Sequence, residues 1–161
     1  MISRRTISNR RGNAYVEFGL LCPLLVMTLG SVADFGLSVW SRARLSDAVS
    51  NGAEYAAVVG PGVSGTNVQS AVTSSVTPLS GVSVTVTGPA CYCVSASSAS
   101  NPATLTYSSA YTSGTCTGTC PNATPGVFVQ ISATYTYSPL MPFYQQFAST
   151  TLTENAVVRL Q

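Results

Sequence analysis

Residues 10–30 read RRGNAYVEFGLLCPLLVMTLG. A carboxylate, Glu17, stands at the head of a long apolar run. A charge in hydrocarbon needs either the lipid–water boundary or a partner. From Val16 to Val39 there are 24 residues whose only charges are Glu17 and Asp34. A helix rising ~1.5 Å per residue would extend roughly 36 Å over that run, enough to cross a hydrocarbon core of ~30 Å. Both acids fall near its ends. Trp40, Arg42 and Arg44 suit the far boundary, where aromatic and basic groups anchor. Pro23 is tolerated in a membrane helix, where it loosens one backbone bond.

Arginine placement sets the expected orientation. Arg4, Arg5, Arg10 and Arg11 precede the run; Arg42 and Arg44 follow it and are diluted by Asp47. The positive-inside rule therefore puts the N-terminus in the cytoplasm and the remainder outside. A cleaved secretory signal ending at Ser31-Val32-Ala33 is the rival reading. Its apolar core would normally be shorter, about 7–15 residues, and free of the interruption at Pro23.

The chain has 161 residues, seven Arg and no Lys or His. Beyond Gly12 three Arg meet five carboxylates, so the formal charge changes from +2 to −2 (3 − 5). The basic character belongs to a tail, and no extended basic patch is available for phosphate binding, which excludes a nucleic-acid partner. From Pro61 to Gln161 only Glu154 and Arg159 are charged, while 33 residues are Ser or Thr. Such a surface suits either a secreted hydroxyl-rich β domain or a subunit packed among neighbours.

Apolar or small residues continue at helical spacing through Leu45, Val49, Gly52, Ala56 and Val59, predicting an amphipathic stem that prolongs the spanning helix. Gly52, Ala53, Ala56 and Ala57 permit close approach, chiefly onto the protein's own sheet. The sequence GPGVSG at Gly60 ends the helix. A second short helix is expected over Asn67–Val76, capped by Thr66 with Gln69 in capping-box position. After Pro78 the period becomes two. Val82, Val84 and Val86 alternate with hydroxyls; Val129, Ile131, Ala133 and Tyr135 share a face, as do Ala156, Val158 and Leu160. With a shorter strand near Leu105 and Tyr107 this predicts a four-stranded antiparallel sheet with one face covered by the stem. The fold class is α+β.

Cys22 reads as a small buried hydrophobe. Cys91 and Cys93, then Cys116 and Cys120, form two clusters. On the external side of a membrane they read as two disulfides running between clusters, with the pairing open. Zinc is the competing reading, disfavoured by the C-x-C spacing and an oxidising compartment. With no His, a conventional Ser–His or Cys–His nucleophile is excluded. Asp47 and Glu54, separated by about 10 Å of helical rise, do not make a glycosidase pair. No phosphate loop is present, so neither an enzyme nor a cofactor is expected. Asp34 is expected in the headgroup region, or paired with Arg42 or with a neighbouring subunit.

The order Arg11-Gly12, four residues, then Glu17-Phe18 resembles the class III signal of type IV pilin-like proteins. RRGNAYVEFGLLCPLLVMTLGSVADFG followed by RARLSDAVSNGAEYAA is similar to the TadE-like proteins of the tight-adherence (Flp) pilus system, through Arg11, Gly12, Glu17, Phe18, Pro23, Asp34, Phe35 and Gly36. The resemblance covers about the first 57 residues. It implies a pilin-like architecture and cleavage after Gly12 by a prepilin peptidase. Asn13 then becomes the first residue and Glu17 the fifth. It further implies that Glu17 pairs with the freed N-terminal ammonium of a neighbouring subunit; two opposite charges together offset desolvation costs that either alone would carry. Cys-x-Cys clusters before the long strand accord with the same family.

The expected organisation is a cytoplasmic leader over 1–12, a transmembrane helix over 13–40, a stem over 41–59 and a disulfide-bonded β-rich domain over 60–161. The expected function is that of a minor pilin or pseudopilin in the bacterial inner membrane. Its partners would be the prepilin peptidase, other pilin-like subunits and the inner-membrane assembly machinery. The alternative is a membrane-tethered surface-binding module that never assembles, contacting its ligand through Tyr92, Tyr107 and Tyr111.

Overall fold

The computed structural model describes residues 10–94, 105–110, 116, 119–120 and 125–160. Arg4, Arg5 and Tyr111 lie outside these residues, as does the side chain of Tyr107. One α-helix, α1, runs from Arg10 to Val59. Its 50 residues extend roughly 75 Å, so the expected span and stem form a single rod that passes through Pro23. It ends at Gly60, whose φ of 75° is a left-handed conformation that favours glycine, and Pro61 cannot continue the helix.

The helix α2 (Gly65–Ser75) packs beside α1 and on the sheet. It starts one residue before the expected cap. Thr66 therefore lies in the first turn, where its hydroxyl meets that of Ser64 at 2.7 Å. Gln69 does not close a capping box either. Its Nε2 donates instead to the carbonyl of Val84 at 3.0 Å and ties the helix to the sheet. Val68 and Val72 are the buried face.

Four strands follow: β1 (Ser83–Val94), β2 (Leu105–Ala110), β3 (Gly126–Thr136) and β4 (Thr151–Arg159). They form one antiparallel sheet in the order β2-β1-β3-β4. A single helical turn, α3 (Tyr144–Phe147), lies in the β3–β4 connection. That connection is closed at its base by Tyr137 N–H donating to the carbonyl of Thr150 at 2.8 Å.

Period-two alternation places Val129, Ile131 and Ala133 of β3 on the covered face, joined by Val84 of β1 and Leu152 of β4. Leu45, Ala48, Val49 and Ala56 of α1 and Val68 and Val72 of α2 complete the core. Each of the larger side chains contributes on the order of 1.5–3 kcal/mol by leaving water. Gly52 is buried at the α1–α2 contact, where even a methyl group would run into Val72. The small residues of the stem thus serve its own fold: Gly52 and Ala56 are buried and Ala53 is partly so, while Ala57 is exposed. Gly88, at φ 108°, lies where a Cβ would sit 2.6 Å from the carbonyl oxygen of Phe128. It permits the irregularity in the β1–β3 pairing between Thr87 and Ala90.

Candidate functional site

The first half of α1 is apolar on every side and exposed. Leu20, Leu21, Leu24, Leu25 and Leu29 project around it, and from Tyr15 to Ala33 no side chain is buried. In water this arrangement would expose a large apolar surface without compensation; in a bilayer it is the favourable one. It is the one helix among the described residues long and apolar enough to cross a membrane. Glu17 and Phe18, the sequence-predicted assembly pair, are both exposed near its N-terminal end. Gly12 and Asn13, the predicted processing site, lie in its first turn.

The surface pattern of α1 changes at Asp34. From there Asp34, Ser38 and Ser41 turn inward and are buried, while Phe35, Leu37, Val39 and Trp40 face outward. The usual arrangement of a helix on a soluble domain is inverted over these two turns. Asp34 is fully buried, and three donors from the β3–β4 connection converge on it. Tyr137 O–H and Leu140 N–H donate to Oδ1 at 2.9 and 2.7 Å, and Met141 N–H donates to Oδ2 at 2.7 Å. The carboxylate is therefore satisfied within its own chain, and not by Arg42, one of the partners expected from sequence. Arg42 instead places Nε 2.7 Å from Oε1 of Glu154 on β4. Arg44 lies over the Trp40 ring at 5.6 Å.

Burial of Tyr137, together with its hydrogen bond to Asp34 and the charge there, pushes the phenol up to about 12. Its ring packs edge-on against Tyr144 with centroids 5.6 Å apart, joining the clasp to α3. Sequence reading missed this clasp. The signals were present: an acid inside an apolar run requires donors, and YSPLMPFYQQF (137–147) is an uncharged segment rich in large apolar residues outside any alternating strand.

At the other end of β3 four cysteines are joined, Cys91 to Cys116 and Cys93 to Cys120, each with Cα atoms 5.6 Å apart. Both bridges run between the clusters, and disulfide sulfurs do not offer the thiolates a zinc site needs. Among the described residues no group of three His, Cys, Asp or Glu is placed to hold a metal ion. Tyr92 is buried and packs edge-on against Phe128 at 6.4 Å, so it does not offer the ligand contact expected of it in the tether reading. Cys22 is half-buried in α1 and not disulfide-bonded.

These features define a class of protein: an α+β domain clasped to the outer part of one long helix whose inner part is apolar all round. Residues 12–54 match the profile of a known family, described as TadE-like protein. This part of the chain is similar to TadE-like proteins over the stretch that holds Gly12, Glu17 and the Asp34-Phe35-Gly36 exit. Comparison with curated proteins gives no match, and comparison with solved structures gives none either.

Proposed function

We propose that the protein is a minor pilin or pseudopilin of a tight-adherence pilus, held in the bacterial inner membrane by α1 and processed after Gly12. Its N-terminus faces the cytoplasm and its sheet domain the outside. The observation that carries this reading is the apolar first half of α1, in which no side chain from Tyr15 to Ala33 is buried, set in the segment that matches the TadE-like family. Such a helix serves both as a membrane anchor before assembly and as a packing element against other pilin-like helices afterwards. Glu17 sets axial register by meeting the N-terminal ammonium of a neighbour, an interaction strong enough in low dielectric to select one position along the helix. The partners are the prepilin peptidase, other pilin-like subunits and the assembly machinery of the inner membrane. The outer domain acts as a displayed surface.

Intact-mass and N-terminal peptide analysis of the protein from its native membrane tests this directly. The expected N-terminus is Asn13, reverting to the uncleaved form when the peptidase is deleted. An N-terminus at Met1 in the presence of the peptidase would reduce the protein to a simple tether. One following Ala33 would make it a secreted β domain.

A further inference from the structure

The β3–β4 connection carries a second group of exposed apolar side chains. Leu140, Phe143 and Phe147 are 70, 53 and 86% exposed. Phe143 and Phe147 border, with Met27 and Phe35 of α1, a groove of about 400 Å³. We propose that residues 138–149 are a membrane foot, seated in the leaflet farther from Glu17 with Leu140, Phe143 and Phe147 in contact with lipid. The proposal rests on the reading that α1 crosses the membrane.

Three observations carry it. The first is level. Measured along α1 from Glu17, Met27 and Phe35 stand about 15 and 27 Å away, within a hydrocarbon core of ~30 Å. Whatever packs beside them shares that depth, and Met141 packs directly against Gly30. The second is the clasp. Asp34 lies in the same slab, and a carboxylate there must be shielded from hydrocarbon. The segment that shields it, by donating from Tyr137, Leu140 and Met141, presents its other side to what surrounds the helix. Polar groups face inward and apolar groups outward, the reverse of a water-exposed loop. The third is composition. No charged residue occurs from Tyr137 to Thr153. Phe143, just before α3, and Phe147, at its end, are exposed and four apart, with the exposed amides of Gln145 and Gln146 between them, a mixture expected of a segment lying in a membrane interface.

The test uses the full chain reconstituted in phosphatidylcholine–phosphatidylglycerol vesicles at low protein-to-lipid ratio. Trp40 is the sole tryptophan, so Trp40→Phe gives a silent background. Phe143→Trp, Phe147→Trp and, on exposed α2, Thr73→Trp are each added to it. Lipids brominated high on the acyl chain are expected to quench the first two, with blue-shifted emission, and to leave the third unquenched. Blue-shifted emission at positions 143 and 147 without quenching would mean that protein covers the foot, and would overturn the proposal. Water-like emission there, with α1 resistant to alkaline carbonate extraction, would also overturn it while leaving the anchor intact. Extraction of the whole chain by carbonate would overturn the anchor and the foot together.

Discussion

Asp34 accepts hydrogen bonds from residues 103, 106 and 107 positions away, so one side chain fixes how the domain meets its helix. Removing it leaves a buried phenol and two partly buried backbone N–H groups without their acceptor. Asp34→Ala is expected to cost on the order of 3 kcal/mol, and Tyr137→Phe about 2 kcal/mol. Denaturant unfolding of the detergent-solubilised protein checks both, and a double-mutant cycle should show strong coupling between the two sites. The pH dependence follows from the phenol. Unfolded tyrosine ionises near 10, whereas Tyr137 holds its proton to about 12. Its contribution is therefore fully present below pH 10 and lost as pH rises toward 12, since only the unfolded chain releases the proton in that window. Melting temperature should fall across this range, and less so in Tyr137→Phe. The partner of Asp34 was not legible in the sequence because the bond depends on where a distant connection lands. An acid in an apolar run states only that some donor must exist.

The individual elements were far more legible, because each obeys a local period. Alternation of Val129, Ile131 and Ala133 with the polar Gln130, Ser132 and Thr134 marked β3, and steps of three and four through Leu45, Val49, Gly52 and Ala56 marked the buried face of α1. What periodicity does not reveal is which small residue is indispensable. Gly52 has no room for a side chain beside Val72, whereas a Cβ on Gly36 meets nothing within 4 Å. Gly52→Val is expected to destabilise by about 1–3 kcal/mol or more through overpacking, and Gly36→Ala to leave the fold as stable or slightly more so. Thermal unfolding in detergent compares the two. The N-terminus of α2 eluded the capping rule for a similar reason. Gln69 finds a better use bonding Val84 across to the sheet than closing a local box. The cysteine clusters announced bridges but not their pairing, which depends on how the intervening chain returns to β1. Cys91→Ser with Cys116→Ser should lower unfolding stability by about 2–4 kcal/mol, measured under oxidising conditions against the intact protein.

At the scale of the whole molecule, the Asp34 clasp and the paired cysteines occupy opposite ends of β3. Residues 126 and 127 pair with Tyr92 and Cys91 at one end, and Tyr137 begins the clasp beyond the other. The clasp and the bridged end are thus separated by the length of a strand, roughly 34 Å for ten steps. Glu17 lies about 25 Å from Asp34 along α1, toward its N-terminus. A Glu17→Leu variant is expected to insert, to be cleaved and to fold its outer domain, yet to fail to support pili. Immunoblotting for the processed form, with a count of surface pili, checks this outcome; normal piliation would refute the register role. The sequence pointed to this division of labour through its charge distribution, but not to the rigidity that joins the parts. The sheet is clasped to the same unbroken helix that carries Glu17, so axial position and azimuth are coupled. A subunit seated one residue out of step would be displaced only ~1.5 Å along the axis but turned by about 100°, swinging its disulfide-bridged end to a different side of any filament it joined.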